Sequence, residues 1–174
     1  MTLNQSSPQH PRHLLGLDVL DMAQLDALLH RAQAFAEGAQ AAQALAGVAV
    51  CTLFFEPSTR TRLSFQLAAQ RLGAQILNFD ASTSSATKGE TDLDTFRTIE
   101  AMGVRGFVVR HKQDGAVAAL AAAAKPGVAV VNAGDGRSHH PTQGLLDMLT
   151  LRQAHGDDFS TLKVVMVGDV KHSR

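Results

Sequence analysis

Blocks of two kinds alternate along this chain: short runs of β-branched and aromatic residues, then longer stretches in which apolar positions recur every three or four residues. Val48 to Phe55, bounded by Gly47 and by Glu56-Pro57, predicts a buried strand of the parallel kind. Leu63, Phe65, Leu67, Ala68 and Leu72 follow at helical spacing, which predicts a helix over 59–72 stopped by Gly73. The same alternation predicts strands over 75–79, 106–109, 128–131 and 162–167. Upstream, Leu20, Leu25, Leu28, Leu29, Ala32 and Phe35 predict a helix beginning near Asp18 and ending at Gly38. Thr91 caps a helix carrying Leu93, Phe96, Ile99 and Met102, and the alanine run 116–124 forms another, stopped by Lys125-Pro126-Gly127. A last helix opens at His140-Pro141, with Leu145, Leu146, Met148, Leu149 and Leu151 as its expected buried side. Asn132-Ala133-Gly134-Asp135-Gly136 reads as a glycine-rich turn, and 80–90, rich in Ser, Thr and Gly, as a long loop. Strands alternating with helices throughout imply an α/β fold, a parallel β-sheet with helices on both faces.

Composition narrows the function classes. Sixteen basic residues balance sixteen acidic ones, with no basic cluster or aromatic ladder, so nucleic-acid binding has no support. The apolar runs fall short of a membrane span and 1–12 is polar without a signal segment, so no membrane role is expected and a cytoplasmic protein is the simplest reading. The single cysteine, Cys51, lies within the first strand and is expected to be a small core residue. No Cys/His cluster has metal-ligand spacing, so neither a metal nor a cofactor is expected.

Candidate chemistry sits at strand ends. Ser58-Thr59-Arg60-Thr61-Arg62 marks the passage from the first strand into a helix, where free backbone N–H groups gather beside three hydroxyls and two guanidinium groups. Those five residues fit a phosphate site and equally a capped surface helix with solvated arginines. Arg110-His111 and His140-Pro141-Thr142-Gln143 also fall at strand C-terminal ends, where open parallel sheets bind ligands. Any one cluster alone is explained by turn chemistry or a satisfied histidine; three on one edge favour a small phosphate-bearing ligand with a carbonyl and amide end. Ser84 and Lys88 in the long loop are further candidates. With no activated nucleophile and no Walker-type loop, the chemistry is positioning and charge stabilisation.

Phe54-Phe55-Glu56-Pro57-Ser58-Thr59-Arg60-Thr61-Arg62 resembles the carbamoyl-phosphate motif of the aspartate and ornithine carbamoyltransferases. His140-Pro141-Thr142-Gln143 is similar to the aspartate type, the ornithine type having Cys in place of the Thr. Ser84 with Lys88-Gly89-Glu90, Val109-Arg110-His111 and Gly168-Asp169-Val170-Lys171 extend the likeness over nearly the whole chain. The resemblance implies transfer of the carbamoyl group of carbamoyl phosphate to the amine of L-aspartate, giving N-carbamoyl-L-aspartate and phosphate, in pyrimidine biosynthesis. It implies that Ser58, Thr59, Arg60 and Thr61 hold the phosphate, that Thr61, Arg110 and His140 reach the carbonyl oxygen, and that Gln143 holds the carbamoyl nitrogen. Ser84 and Lys88 would serve the site of a neighbouring subunit, making the active unit a homotrimer, and Arg174 would contact aspartate and pair with Glu56. Regulatory or dihydroorotase-like subunits are conceivable partners.

The expected organisation is a flexible lead-in over 1–13, a carbamoyl-phosphate domain over 14–156, and the opening of a truncated aspartate-binding domain over 157–174. Such a chain is expected to bind carbamoyl phosphate with little or no turnover. An ornithine-type transcarbamylase and a non-catalytic subunit for assembly or phosphate sensing are the alternatives.

Overall fold

The computed structural model describes residues 12–41, 43–80 and 90–169. In chain order its elements are α1 (Met22–Ala36), β1 (Ala49–Phe54), α2 (Thr59–Arg71), β2 (Gln75–Asp80), α3 (Asp92–Ala101), β3 (Gly106–His111), α4 (Ala116–Ala123), β4 (Ala129–Asp135) and α5 (Pro141–His155). The four strands form one parallel sheet in the order β2-β1-β3-β4. Each core strand is apolar on both sides, as a sheet covered on both faces requires. Cys51, Leu53, Phe107, Val109 and Val130 face α3 and α4, whose Phe96, Ile99, Val117 and Leu120 complete a buried cluster. Val50, Phe54, Val108 and Ala133 point the other way and pack with Phe65 and Ala69 of α2. α5 lies beside α2 on that second face, Leu145 and Leu149 sharing a groove with Phe65 and Ala68.

The strand order decides where a ligand can sit. The chain leaves β1 towards β2 at one edge, then returns to the opposite side of β1 to lay down β3. This reversal opens a crevice at the carboxyl ends of β1 and β3, the switch point where open α/β sheets bind ligands.

Several predicted boundaries move. α1 starts at Met22 rather than near Asp18, because Asp21 and Gln24 form a reciprocal capping box. Asn132 to Asp135 is not a turn but the second half of β4, and Arg110 and His111 are the last residues of β3 rather than residues beyond it. No strand forms over 162–167: that run pairs with no strand among the described residues, and Val164 to Val167 are 60–93% exposed. A strand exists only through its ladder, and an apolar β-branched run reads alike with or without a partner. The stripe on α5 is not buried either; of that helix only Pro141 is, while Leu146 is 57% exposed beside an open groove. Residues 1–11 of the expected lead-in lie outside the described residues, and its last two are anchored: Arg12 donates to the Ala124 carbonyl, and the Val130 N–H donates to His13 Nδ1 at 3.1 Å.

Candidate active site

At the switch point a cleft of about 430 Å³ is lined by Ser58, Arg60, Thr61, Arg110, His140 and Gln143, with Thr142 beside them. All three polar clusters predicted from the sequence therefore contribute to one hollow. Two helices begin at its wall. Ser58 is the N-cap of α2 in an extended conformation (φ −160°, ψ 92°), but its side chain makes no capping hydrogen bond. His140 is the N-cap of α5, again without a side-chain cap, and Pro141 follows at the first helical position, where a missing N–H costs nothing. First-turn N–H groups and the positive ends of two helix dipoles thus flank the cleft.

Arg110 reaches the cleft from the end of β3, and two contacts among the described residues help fix its guanidinium. Its Nη2 lies 2.6 Å from Glu56 Oε1, and its Nη1 donates to the Ala133 carbonyl at 2.9 Å. The expected pairing of Glu56 with Arg174 falls on a residue outside the described ones; among the described residues Glu56, just beyond β1, pairs with Arg110. Ser84 and Lys88 also lie outside the described residues. Thr59 is exposed at the first position of α2 and does not line the hollow. Thr142 Oγ1 stands 3.4 Å from His140 Nδ1, and Gln143 donates through Nε2 to Asp147 Oδ1 at 3.0 Å along its own helix.

His111 does not join the site. Strand alternation sends it to the opposite face from Arg110, where its ring meets Phe55 edge-on and its Nε2 lies 3.0 Å from Asp92 Oδ2. Since Nδ1 accepts the Gln113 N–H at 2.9 Å, the ring proton sits on Nε2 and is donated to Asp92. One supporting network went unread in the sequence: Gln66 on α2 donates to Thr52 Oγ1 and Asn78 Oδ1, tying the helix to β1 and β2. Thr52 and Asn78 are register partners, a relation that appears only once strands are paired. Among the described residues no group of three or more His, Cys, Asp and Glu side chains is arranged to hold a metal ion. No helix in them is long and apolar enough to cross a membrane.

A family model described as the carbamoyl-P binding domain of aspartate/ornithine carbamoyltransferases matches residues 12–153. The chain belongs to this family. Among carbamoyltransferase relatives, the aspartate carbamoyltransferase catalytic subunit of Stenotrophomonas maltophilia (strain K279a) is 71% identical over 168 residues, which cover 94% of this chain and 53% of the relative. That of Xanthomonas axonopodis pv. citri (strain 306) is 67% identical over 177 residues, covering 99% and 56%. Among solved structures, aspartate transcarbamoylase from Trypanosoma cruzi in complex with carbamoyl aspartate and phosphate superposes with a TM-score of 0.75 at 35% identity, over 83% of this chain and 47% of that one. The catalytic subunit of the M. Jannaschii aspartate transcarbamoylase gives 0.74 at 34%, over 84% and 48%. The chain spans about half the length of the carbamoyltransferases it matches.

Proposed function

We propose that the cleft binds carbamoyl phosphate, and that the chain is the carbamoyl-phosphate half of an aspartate carbamoyltransferase. The observation that carries this is the meeting of Ser58, Arg60, Thr61, Arg110, His140 and Gln143 in one hollow between two uncapped helix N-termini. A dianion is held there by hydroxyls, main-chain N–H groups and arginine forks together. Ser58, Thr59, Arg60 and Thr61 take the phosphate, Thr59 through its main-chain N–H. Arg110 bridges phosphate and carbonyl oxygens. His140, whose Nδ1 stands 3.4 Å from the Thr142 hydroxyl, donates from Nε2 to the carbonyl oxygen in this reading, and Gln143 swings from Asp147 to hold the carbamoyl nitrogen.

In the whole enzyme the aspartate amine attacks the carbamoyl carbon, the bond to the phosphate oxygen breaks, and the proton shed by the amine goes to the departing phosphate. The products are N-carbamoyl-L-aspartate and phosphate. Charge grows on the carbonyl and leaving oxygens, where Arg60, Arg110 and His140 stand, so no covalent intermediate is needed. Aspartate binding through Arg174, a cytoplasmic homotrimer in which Ser84 and Lys88 serve a neighbour's site, and the domain division near 156/157 belong to the same proposal. The T. cruzi enzyme solved with carbamoyl phosphate and with carbamoyl aspartate supports it as a family likeness. Steady-state assay of the full-length protein tests it: Arg60→Ala or His140→Ala should each lower kcat by about 10² to 10³ with aspartate as acceptor. A loss under about tenfold in folded enzyme would reject these roles, and turnover with ornithine in place of aspartate would reject aspartate as the acceptor.

A further inference from the structure

β3 and β4 fall out of step beside Arg110. From Val109 to His111 β3 advances two residues, while the partners Asn132 to Asp135 advance three, so β4 carries one extra residue at this point. Gly134 lies within the irregularity at φ 130°, a conformation that side-chain-bearing residues rarely adopt. An extra residue of this kind re-aims the groups next to it. Here the re-aimed group is the Ala133 carbonyl, which receives Arg110 Nη1 at 2.9 Å. Asn132, only 1% exposed, closes the irregularity from inside the sheet. Its Oδ1 accepts the Gly134 N–H at 2.8 Å, and its Nδ2 donates to the Leu15 carbonyl at 2.8 Å, on the segment that bridges to the outer edge of β4.

We propose that Asn132 is a positioning residue for Arg110: by fixing the extra residue of β4 it holds the Ala133 carbonyl where it pins one arm of the guanidinium, Glu56 pinning another. The inference rests on the reading of the cleft as the carbamoyl-phosphate site. The plane of a guanidinium is set by its hydrogen-bonded arms, and moving the acceptor of one arm turns that plane. Asn132 touches no substrate. It acts two bonds removed, through a backbone carbonyl.

Asn132→Thr and Asn132→Val in the 174-residue chain separate this role from general packing. The two replacements have nearly one shape and both lose the Leu15 contact. Only threonine offers an oxygen that can accept the N–H two residues on. The ligand-free readout is the NMR resonance of the Arg110 Nε–H group, assigned by its loss in Arg110→Lys; the second readout is the dissociation constant for carbamoyl phosphate. Threonine should keep the resonance near its wild-type position, whereas valine displaces or broadens it and weakens carbamoyl-phosphate binding about tenfold relative to threonine. Equal resonances and equal constants in the two variants would overturn the proposal. If Asn132→Val does not fold, Asn132→Ala, which also lacks the accepting oxygen, takes its place: an Arg110 resonance displaced from that of the threonine variant supports the role, and an undisplaced one refutes it. Failure of the wild-type chain to bind carbamoyl phosphate would remove the substrate reading, while the ligand-free resonance would still decide the positioning.

Discussion

Glu56 and Arg110 form an ion pair at 2.6 Å with side chains only 17% and 13% exposed, and Arg110 lines the cleft assigned to a dianion. The pair both aligns the guanidinium and cancels part of its charge. Glu56→Gln keeps an acceptor for Arg110 and removes the negative charge, so inorganic phosphate should bind the variant tighter by about threefold to tenfold, the scale of one partly screened charge. Glu56→Ala loses the alignment too and should bind phosphate more weakly than Glu56→Gln. Calorimetric titration of the three proteins checks the order, and weaker binding to Glu56→Gln than to wild type would contradict it.

Much of this arrangement was legible before any coordinates. The passage from β1 into α2 was marked by Pro57 and by cap-forming residues, and the helix begins at Thr59 as expected. What escaped was set by pairing across the chain. Asn132-Ala133-Gly134-Asp135 has the composition of a turn, and its internal Asn132 to Gly134 hydrogen bond is indeed turn-like, but it is made within a strand that has β3 as a neighbour. The Glu56 to Arg110 pair joins the ends of adjacent strands, a proximity fixed by the order β1-β3 and by nothing local. Arg110 and His111 looked like one cluster; the two-residue period of a strand divides them between opposite faces.

Cys51 is sealed in the core at 1% exposure, and burial pushes its thiol up to about 12. Thiolate is the reactive form, so a water-soluble disulfide reagent near pH 8 should leave the native chain unmodified and react with one equivalent once denaturant is added. Rapid native labelling would contradict the burial.

His13 has its proton affinity lowered from the ordinary 6.5, first by desolvation and then by the charge of Arg12, while its Nδ1 accepts the Val130 N–H. The unfolded ring binds the proton more readily than the folded one, so this contribution to stability is complete above the unfolded value and is lost as pH falls through the folded value. His13→Asn keeps an acceptor that does not titrate in this range. Between about pH 7.5 and pH 5 the melting temperature of the wild type should therefore fall more than that of the variant. Parallel curves would remove His13 from the acid response.

Val164, Val165, Met166 and Val167 are exposed and unpaired among the described residues. A β-branched run of this kind is a template for intermolecular pairing. Sedimentation of the 174-residue chain should show concentration-dependent association that Val165→Lys with Val167→Lys reduces. Association unchanged by the two lysines would place the contact elsewhere.

The central claim is that separated segments converge on one carbamoyl-phosphate ion, and a crystal of the chain soaked in carbamoyl phosphate tests it most directly. The account predicts phosphate density at the N-terminus of α2, with oxygens about 3 Å from groups of Ser58, Arg60, Thr61 and Arg110, and the carbonyl turned to His140. Density elsewhere on the molecule, or an empty cleft at saturating ligand, would contradict it.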